Sequence, residues 1–577
     1  MGKFFLIDQS LKSVGGHHYD YSNLVSRAAV DAGWTVVVAC HRKFKEVSAF
    51  HNCAVRNWFR LTTYASCSDL VGIQDMVSQR NKPNFFKSLC QRLGFNKDNQ
   101  VDRQRNQEKR IQTFREDCHA VFTEQLSETD VIFFTTLSDL EAQGLYQFLQ
   151  DRPDAKLANW HLQFHFPLFR GRTPQYQEQV KNISLVQDVF DDFNTLTSTN
   201  IRFYVTSETL KDQYEHTGYP FESLTYPVNP NLKRFPGTPY KPQLKANLTF
   251  AGSIRKEKGG NKIDAMINGI EQDFGDAVCF SMQRKKPKLI TSLWQVFKRQ
   301  TKQPNLIIHQ YPLTGKDYLH YIRNSDIGLL TTYESETYFS RRAGILGEYL
   351  TAGIPVIVPA GCWLSDQIEI HQQAYLKSLV EENRPNSFSV RANSTLCQAP
   401  GKTTVNFTWD TNPTTGDFRL VILEFDVVKP SEHGNYLRVV CQQKPETGKT
   451  NSKSQIIGQD RIQSKRYVAF YVNRDQNDLD FEITPAFGSR EGRLENIRAT
   501  QINDNKIIPR SVVGLIAETP GETVDLASEM IQQYNHYRNS ALELSSHWFH
   551  RHDPDLTFRT LVKNSGLPSN SSFEKAA

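Results

Sequence analysis

The chain of 577 residues has no apolar run near the length of a membrane span, so a helical transmembrane protein is not expected. It has no paired cysteine spacing either. Nine cysteines (Cys40, Cys53, Cys67, Cys90, Cys118, Cys279, Cys362, Cys397 and Cys441) are odd in number and scattered. That argues for free thiols in a reducing compartment, against a disulfide framework or a zinc site. Strong charge is missing too: 68 Lys and Arg against 62 Asp and Glu leave +6, too dilute to argue for a nucleic-acid partner. The surplus suits a basic cleft and loose attraction to an anionic membrane surface. Phe4 to Ile7 is too short for a signal core, and Asp8 breaks it. Gly2 opens no myristoylation signal, since Leu6 stands where Ser or Thr is needed. No strand-end aspartate motif of the metal-dependent kind stands out. A cytoplasmic protein, peripheral at the inner face of the membrane, is the expectation. With 38% hydrophobic and 23% charged residues, the chain can bury large cores, enough for three or four domains.

What is present is clearest from Ser325 to Pro359, SDIGLLTTYESETYFSRRAGILGEYLTAGIPVIVP. An apolar strand, Ile327 to Leu330, enters a polar loop. A helix is predicted to start near Arg342 and to stop at Gly353 and Pro355. Ile354 to Val358 then reads as a buried strand. In parallel sheets a loop at a strand's carboxyl end is where ligands bind. Arg341 and Arg342 stand at the helix start, where free N–H groups and the helix dipole favour a phosphate. Glu348 lies six residues beyond Arg342, about 9 Å along the axis. That is a reach from a diphosphate to the hydroxyls of its ribose.

A second segment has the same character. Leu248 to Ile254 (LTFAGSI) is a strand, followed by Arg255, Lys258 and Gly259 and a helical pattern from Asn261 to Ile270. A cation pair after a strand end offsets the charge of a departing diphosphate. At the amino terminus the strand Phe4 to Ile7 runs into Ser13-Val14-Gly15-Gly16-His17-His18 and a helix from Tyr19 to Ala32. The glycines let backbone approach a ligand closely. A third glycine is missing at the spacing a dinucleotide fingerprint needs. Finally, Trp160 to Pro167 (WHLQFHFP) ends a strand whose two-residue period puts His161, Gln163 and His165 on one face.

Together these segments resemble the retaining GT-B glycosyltransferases. That family's donor motif has two glutamates eight positions apart, the second binding the ribose and the first touching the sugar. Glu348 matches the second, and Ser340 stands at the first. The family's glycine, arginine and lysine-glycine are matched by Gly252, Lys258 and Gly259. Ser253 takes the usual arginine position, and Arg255 comes two residues later. The resemblance implies a fold of two Rossmann-like α/β domains facing a cleft, and transfer from a nucleotide-diphosphate sugar with retention and without metal. It implies Arg255, Lys258 and His165 as catalytic candidates. The donor would be held by Gly15, Gly16, Gly252, Ser340, Arg341, Arg342, Gly344 and Glu348, and the acceptor met by His17, His18 and His161. No bound cofactor is implied. The partners are the nucleotide sugar and a carbohydrate or lipid-linked acceptor, as in polysaccharide biosynthesis.

Strand–helix alternation over residues 1–236 predicts an amino-terminal acceptor domain, with 547–565 crossing back to it. Residues 82–115 read as a charged helical insertion and 233–242 as a proline-bearing linker. The donor domain covers 244–385 and 508–546. Between its parts, 388–506, helical periodicity gives way to short alternating strands, the pattern of an inserted β-sandwich. It is expected to be an independent unit that either binds carbohydrate, with Trp409, Tyr436 and Tyr467 as stacking aromatics, or serves protein contact or dimerisation. Two rival readings remain at this point: a non-catalytic carbohydrate-binding protein on a degenerate GT-B scaffold, and a nucleotide-sugar epimerase.

Overall fold

Residues 2–63, 99–172, 179–180, 183–196, 199–235, 245–253, 260, 262–284, 305–330, 339–383, 396–399, 402–408, 418–428, 436–443, 451–458, 465–472, 478–487, 493–504 and 506–567 are described by a computed structural model. They fall into two units. Unit 1 holds Met1–Phe169, Glu178–Pro230 and His550–Ala577; unit 2 holds Arg170–Gln177 and Asn231–Phe549.

Unit 1 is built on seven strands: β1 (Lys3–Asp8), β2 (Thr35–His41), β3 (Cys53–Phe59), β4 (Val131–Leu137), β5 (Asn159–Phe164), β6 (Asn200–Val205) and β7 (Phe221–Ser223). They pair in parallel in the order β3-β2-β1-β4-β5-β6-β7. The two-residue period explains why β1 and β4 are apolar at nearly every position. Phe5, Ile7, Ile132 and Phe134 face a core shared with Phe114, Leu145 and Phe148 of the helices Asn99–Val121 and Asp139–Asp151. Phe4, Leu6, Val131 and Phe133 face the opposite core, with Val25 of helix His17–Asp31 and Phe558 and Leu561 of helix Pro554–Asn564. Of the predicted 82–115 insertion, the helix is described from Asn99 onward, and residues 64–98 lie outside the described residues.

Unit 2 begins with β8 (Ala246–Ser253), β9 (Val278–Arg284), β10 (Leu306–Gln310), β11 (Ile327–Leu329) and β12 (Val356–Pro359). Among the described residues, the strands of the insert follow: β13 (Leu396–Ala399), β14 (Lys402–Thr408), β15 (Phe418–Val428), β16 (Tyr436–Gln443), β17 (Asn451–Gly458), β18 (Lys465–Val472), β19 (Asp478–Ala486) and β20 (Arg493–Asp504). The chain then returns as β21 (Gly514–Ala517), which pairs in parallel with β12. The parallel sheet runs β10-β9-β8-β11-β12-β21. This is a second Rossmann-like α/β layer with an antiparallel β domain inserted before its last strand.

The insert is two antiparallel sheets, β13-β14-β19-β16-β17 and β18-β15-β20. Inward residues of both, among them Phe407, Val421, Val439, Phe470 and Phe481, form its core. Its outer surface is not free all round. Leu376 and Val380 of helix Trp363–Asn383 pack on Leu420, Ile422, Tyr467 and Ile502. Tyr436 and Ile456 pack on Ala360. Tyr436 and Tyr467 are thus 6% and 5% exposed, and the expectation that they stack on sugars is corrected: both faces are covered by protein. Trp409 lies outside the described residues. Among the described residues, no helix is long and apolar enough to cross a membrane.

Candidate functional site

The strand order of unit 2 reverses at β8. From it the chain steps outward to β9 and β10, then returns to β11 on the other side. In open parallel sheets the crevice at such a reversal, outside the strands' carboxyl ends, is the natural ligand site. Here it is framed by the end of β8 and the helix Gly344–Thr351 that follows β11.

Three residues lock that helix to the sheet. The Tyr349 hydroxyl meets Thr249 Oγ1 at 2.8 Å, donates to the Thr249 carbonyl at 3.1 Å, and accepts from the Ala251 N–H at 3.2 Å. It therefore satisfies the backbone where β8 loses register with β9, between Phe250 and Ser253. Gly328 in β11 makes room for the Tyr349 ring, since a Cβ there would stand 2.7 Å from it. Gly252, at φ 84°, lets the end of β8 approach the helix's first turn; a Cβ would lie 2.6 Å from Ile345 Cδ1. Gly252 was selected from sequence. Gly328 and Tyr349 were not, although an isolated glycine within a strand is the usual sign of a close approach.

The helix begins at Gly344, two residues later than predicted, with Ala343 as its extended N-cap. A Cβ at Gly344 would meet no atom of the described residues within 4 Å. The cations of the preceding loop divide. Arg342 is 5% exposed and lies over the Trp363 ring, 5.0 Å from its centroid, while Arg341 is half-buried. Ser340 is fully buried. One turn into the helix, Glu348 accepts a 2.5 Å hydrogen bond from Tyr318, on the neighbouring helix Gly315–Arg323. That bond orients the carboxylate, and Tyr318 carried no signal in the sequence. Arg255, Lys258 and Gly259 lie outside the described residues.

Unit 1 has its own reversal, between β1 and β4. Gly15 and Gly16, at φ 94° and 81°, turn the chain from β1 into helix His17–Asp31. His18 Nδ1 lies 2.9 Å from Oδ2 of Asp8. Asp8 is fully buried at the end of β1 and also accepts from the Ser10 N–H at 2.9 Å. His17 is exposed, and its ring lies 4.1 Å from that of His18. His165, just beyond β5, is 7% exposed and meets the Tyr226 hydroxyl at 3.0 Å.

His161 is corrected. It shares its side of β5 with Gln163 and His165, but it is fully buried, with Nδ1 3.0 Å from the Tyr204 hydroxyl and Nε2 2.9 Å from the Ser565 hydroxyl. Both ring nitrogens are used within unit 1. Burial, reinforced by Arg202, pulls its pKa down to about 3. It is a packing residue, not one that meets an acceptor.

No family model matches the chain, and no curated protein is similar to it. Among solved structures it is similar to sucrose-phosphate synthase from Thermosynechococcus elongatus, at 11% identity over 67% of this chain and 90% of that one (TM-score 0.38). It is also similar to the trehalose-6-phosphate synthase OtsA, at 10% identity over 64% and 86% (TM-score 0.39). A third is WaaG, a glycosyltransferase involved in lipopolysaccharide biosynthesis, at 11% identity over 63% and 83% (TM-score 0.36). No residue role is taken from them.

Proposed function

We propose that the protein is a GT-B glycosyltransferase that moves a sugar from a nucleotide-diphosphate donor to a carbohydrate or lipid-linked hydroxyl acceptor, with retention and without a metal ion. The observation that carries this reading is the helix Gly344–Thr351. Its first turn stands at the strand-order reversal, two arginines precede it, and a carboxylate held by Tyr318 follows one turn on. N–H groups at a helix start suit a phosphate, and an oriented carboxylate suits a pair of ribose hydroxyls.

In this reading the diphosphate lies on the N–H groups from Arg341 to Gly344, with Arg255 and Lys258, which follow β8 in the sequence, supplying charge. Glu348 takes the ribose. Ser340, being fully buried, leaves the sugar to those N–H groups. In unit 1, His18 held by Asp8 orients the acceptor hydroxyl, and His165 contributes from the end of β5. The protein acts as a peripheral enzyme in the cytoplasm, in polysaccharide assembly.

The test is a thermal-shift screen of the full chain with nucleoside diphosphates and their sugars. One nucleotide family should stabilise it, by about 2.7 kcal/mol at a hundredfold excess over Kd. No shift with any of them would overturn the reading.

A further inference from the structure

The loop entering the donor helix is held from outside the parallel sheet. Phe487, the residue after β19, has φ 54°, a left-handed backbone that a bulky side chain rarely adopts. Its ring centroid lies 3.6 Å from the guanidinium carbon of Arg172, and the ring of Phe339 lies 4.0 Å from the same carbon. The guanidinium is therefore clasped between a ring of the inserted sandwich and a ring of the donor loop. Tyr436 of β16 packs edge-on against Phe487 at 5.8 Å and donates to Asp366 Oδ1 at 3.1 Å. Gly361, at φ 69°, leaves space for this stack, since a Cβ there would collide with the Phe487 ring and with Arg172 Nε. On the far side, the Phe339 carbonyl accepts from the Trp363 N–H at 2.8 Å, and Trp363 carries Arg342 on its ring.

We propose that Phe487 is a positioning residue of the donor site: the inserted sandwich, through Phe487 and Arg172, fixes the loop Phe339–Ala343 at the head of the helix Gly344–Thr351. This rests on the reading of that helix head as the diphosphate site. An arginine between two aromatic faces keeps its charge while losing its freedom to swing. A loop already held in its bound form spares the donor the cost of ordering it. A backbone kept in a sparsely populated region is commonly found where position matters to function. The insert then serves the donor side of the enzyme rather than acting as a sugar-binding module.

Calorimetry on the full-length chain with UDP, GDP and ADP tests this. Phe487→Ala should weaken the nucleotide the parent binds at least tenfold, and Phe487→Leu, which keeps bulk and loses the ring face, several-fold. Phe487→Tyr should restore parental binding. Ile456→Ala, at the same contact of the sandwich with Ala360, should lower Tm and leave Kd unchanged. Parental Kd in Phe487→Ala and Phe487→Leu overturns the inference while leaving the donor site standing, and so does equal weakening by Ile456→Ala. A parent that binds none of the three nucleotides removes the donor-site reading and the inference together.

Discussion

Single residues decide how firmly the helix Gly344–Thr351 sits. Gly328→Ala forces a methyl group to within 2.7 Å of the Tyr349 ring. Overpacking of this sort costs about 1–3 kcal/mol, and chemical denaturation should show it. Glu348→Ala and Lys258→Ala should each weaken donor binding by about 1.5–3 kcal/mol, the loss of a charged hydrogen-bond partner. Calorimetry that finds both variants binding every nucleotide sugar as the parent does would relocate the site. His161 gives a prediction about pH. Its pKa falls from 6.5 to about 3 on folding, so the unfolded chain takes up the proton first. Its contribution is complete above pH 6.5 and is lost as pH falls towards 3, at up to ~1.4 kcal/mol per pH unit. His161→Gln should flatten the stability profile across that window, and an unchanged profile would show that His161 is not the group responsible.

Among the elements, helix Trp363–Asn383 is the one the sequence concealed. Its apolar residues fall on no single stripe because it is covered from two directions: Trp363, Leu364 and Ile368 are buried near its start, and Leu376 and Val380 meet the sandwich. Gln373 shows how closely it is fitted. Its amide donates to the Tyr467 carbonyl at 2.8 Å and accepts from the Tyr467 N–H at 2.9 Å. The side chain thus pairs with β18, an edge strand, as a neighbouring strand would. Gln443 and Gln455 serve the carbonyls of Tyr471 and Ala469 on the same edge. Gln373→Ala should cost about 1–3 kcal/mol, measurable by urea denaturation; a loss near zero would mean the edge is satisfied some other way. Parallel strands such as β1 and β4 were legible because burial on both faces writes continuous apolar runs such as FFLI and VIFF, whereas β3, β7 and β9 were not singled out. Strands β17 and β20 (NSKSQIIG and RLENIRATQIND) were not, since their many polar side chains blur the alternation. At the candidate site, Gly252 and Glu348 could be picked out by spacing. Tyr318, Tyr349, Arg172 and Phe487 could not, because only the fold brings them together.

At the scale of the whole molecule, two predictions concern function and architecture. If cations and a helix start stabilise the departing diphosphate, transfer should survive EDTA. Complete loss restored by Mn²⁺ or Mg²⁺ would indicate a different mechanism. Sequence alone suggests that 388–506 could be replaced by a short linker without harm. The packing argues otherwise, because removal bares Leu376 and Val380, worth ~1.5–3 kcal/mol each. The deletion product should aggregate, and polar substitutions at those two positions should recover solubility. A monomeric, soluble deletion without them would show that the helix needs no cover.

The pairing of β12 with β21 has a consequence for how the protein is made. The two strands are neighbours in the sheet, yet Pro359 and Gly514 are separated by the entire insert. At about 5–20 residues per second, a ribosome leaves the edge of β12 open for roughly 8–30 s. During that time the sandwich, whose pairings lie within 396–504, can complete itself. Unit 1 waits longer still, since Phe558 and Leu561 close the core around Phe4 only when helix Pro554–Asn564 has emerged. Segments far along the chain therefore complete both units, β21 the sheet of unit 2 and helix Pro554–Asn564 a core of unit 1, and chains that stop short of them carry open cores for the cell's quality control to find.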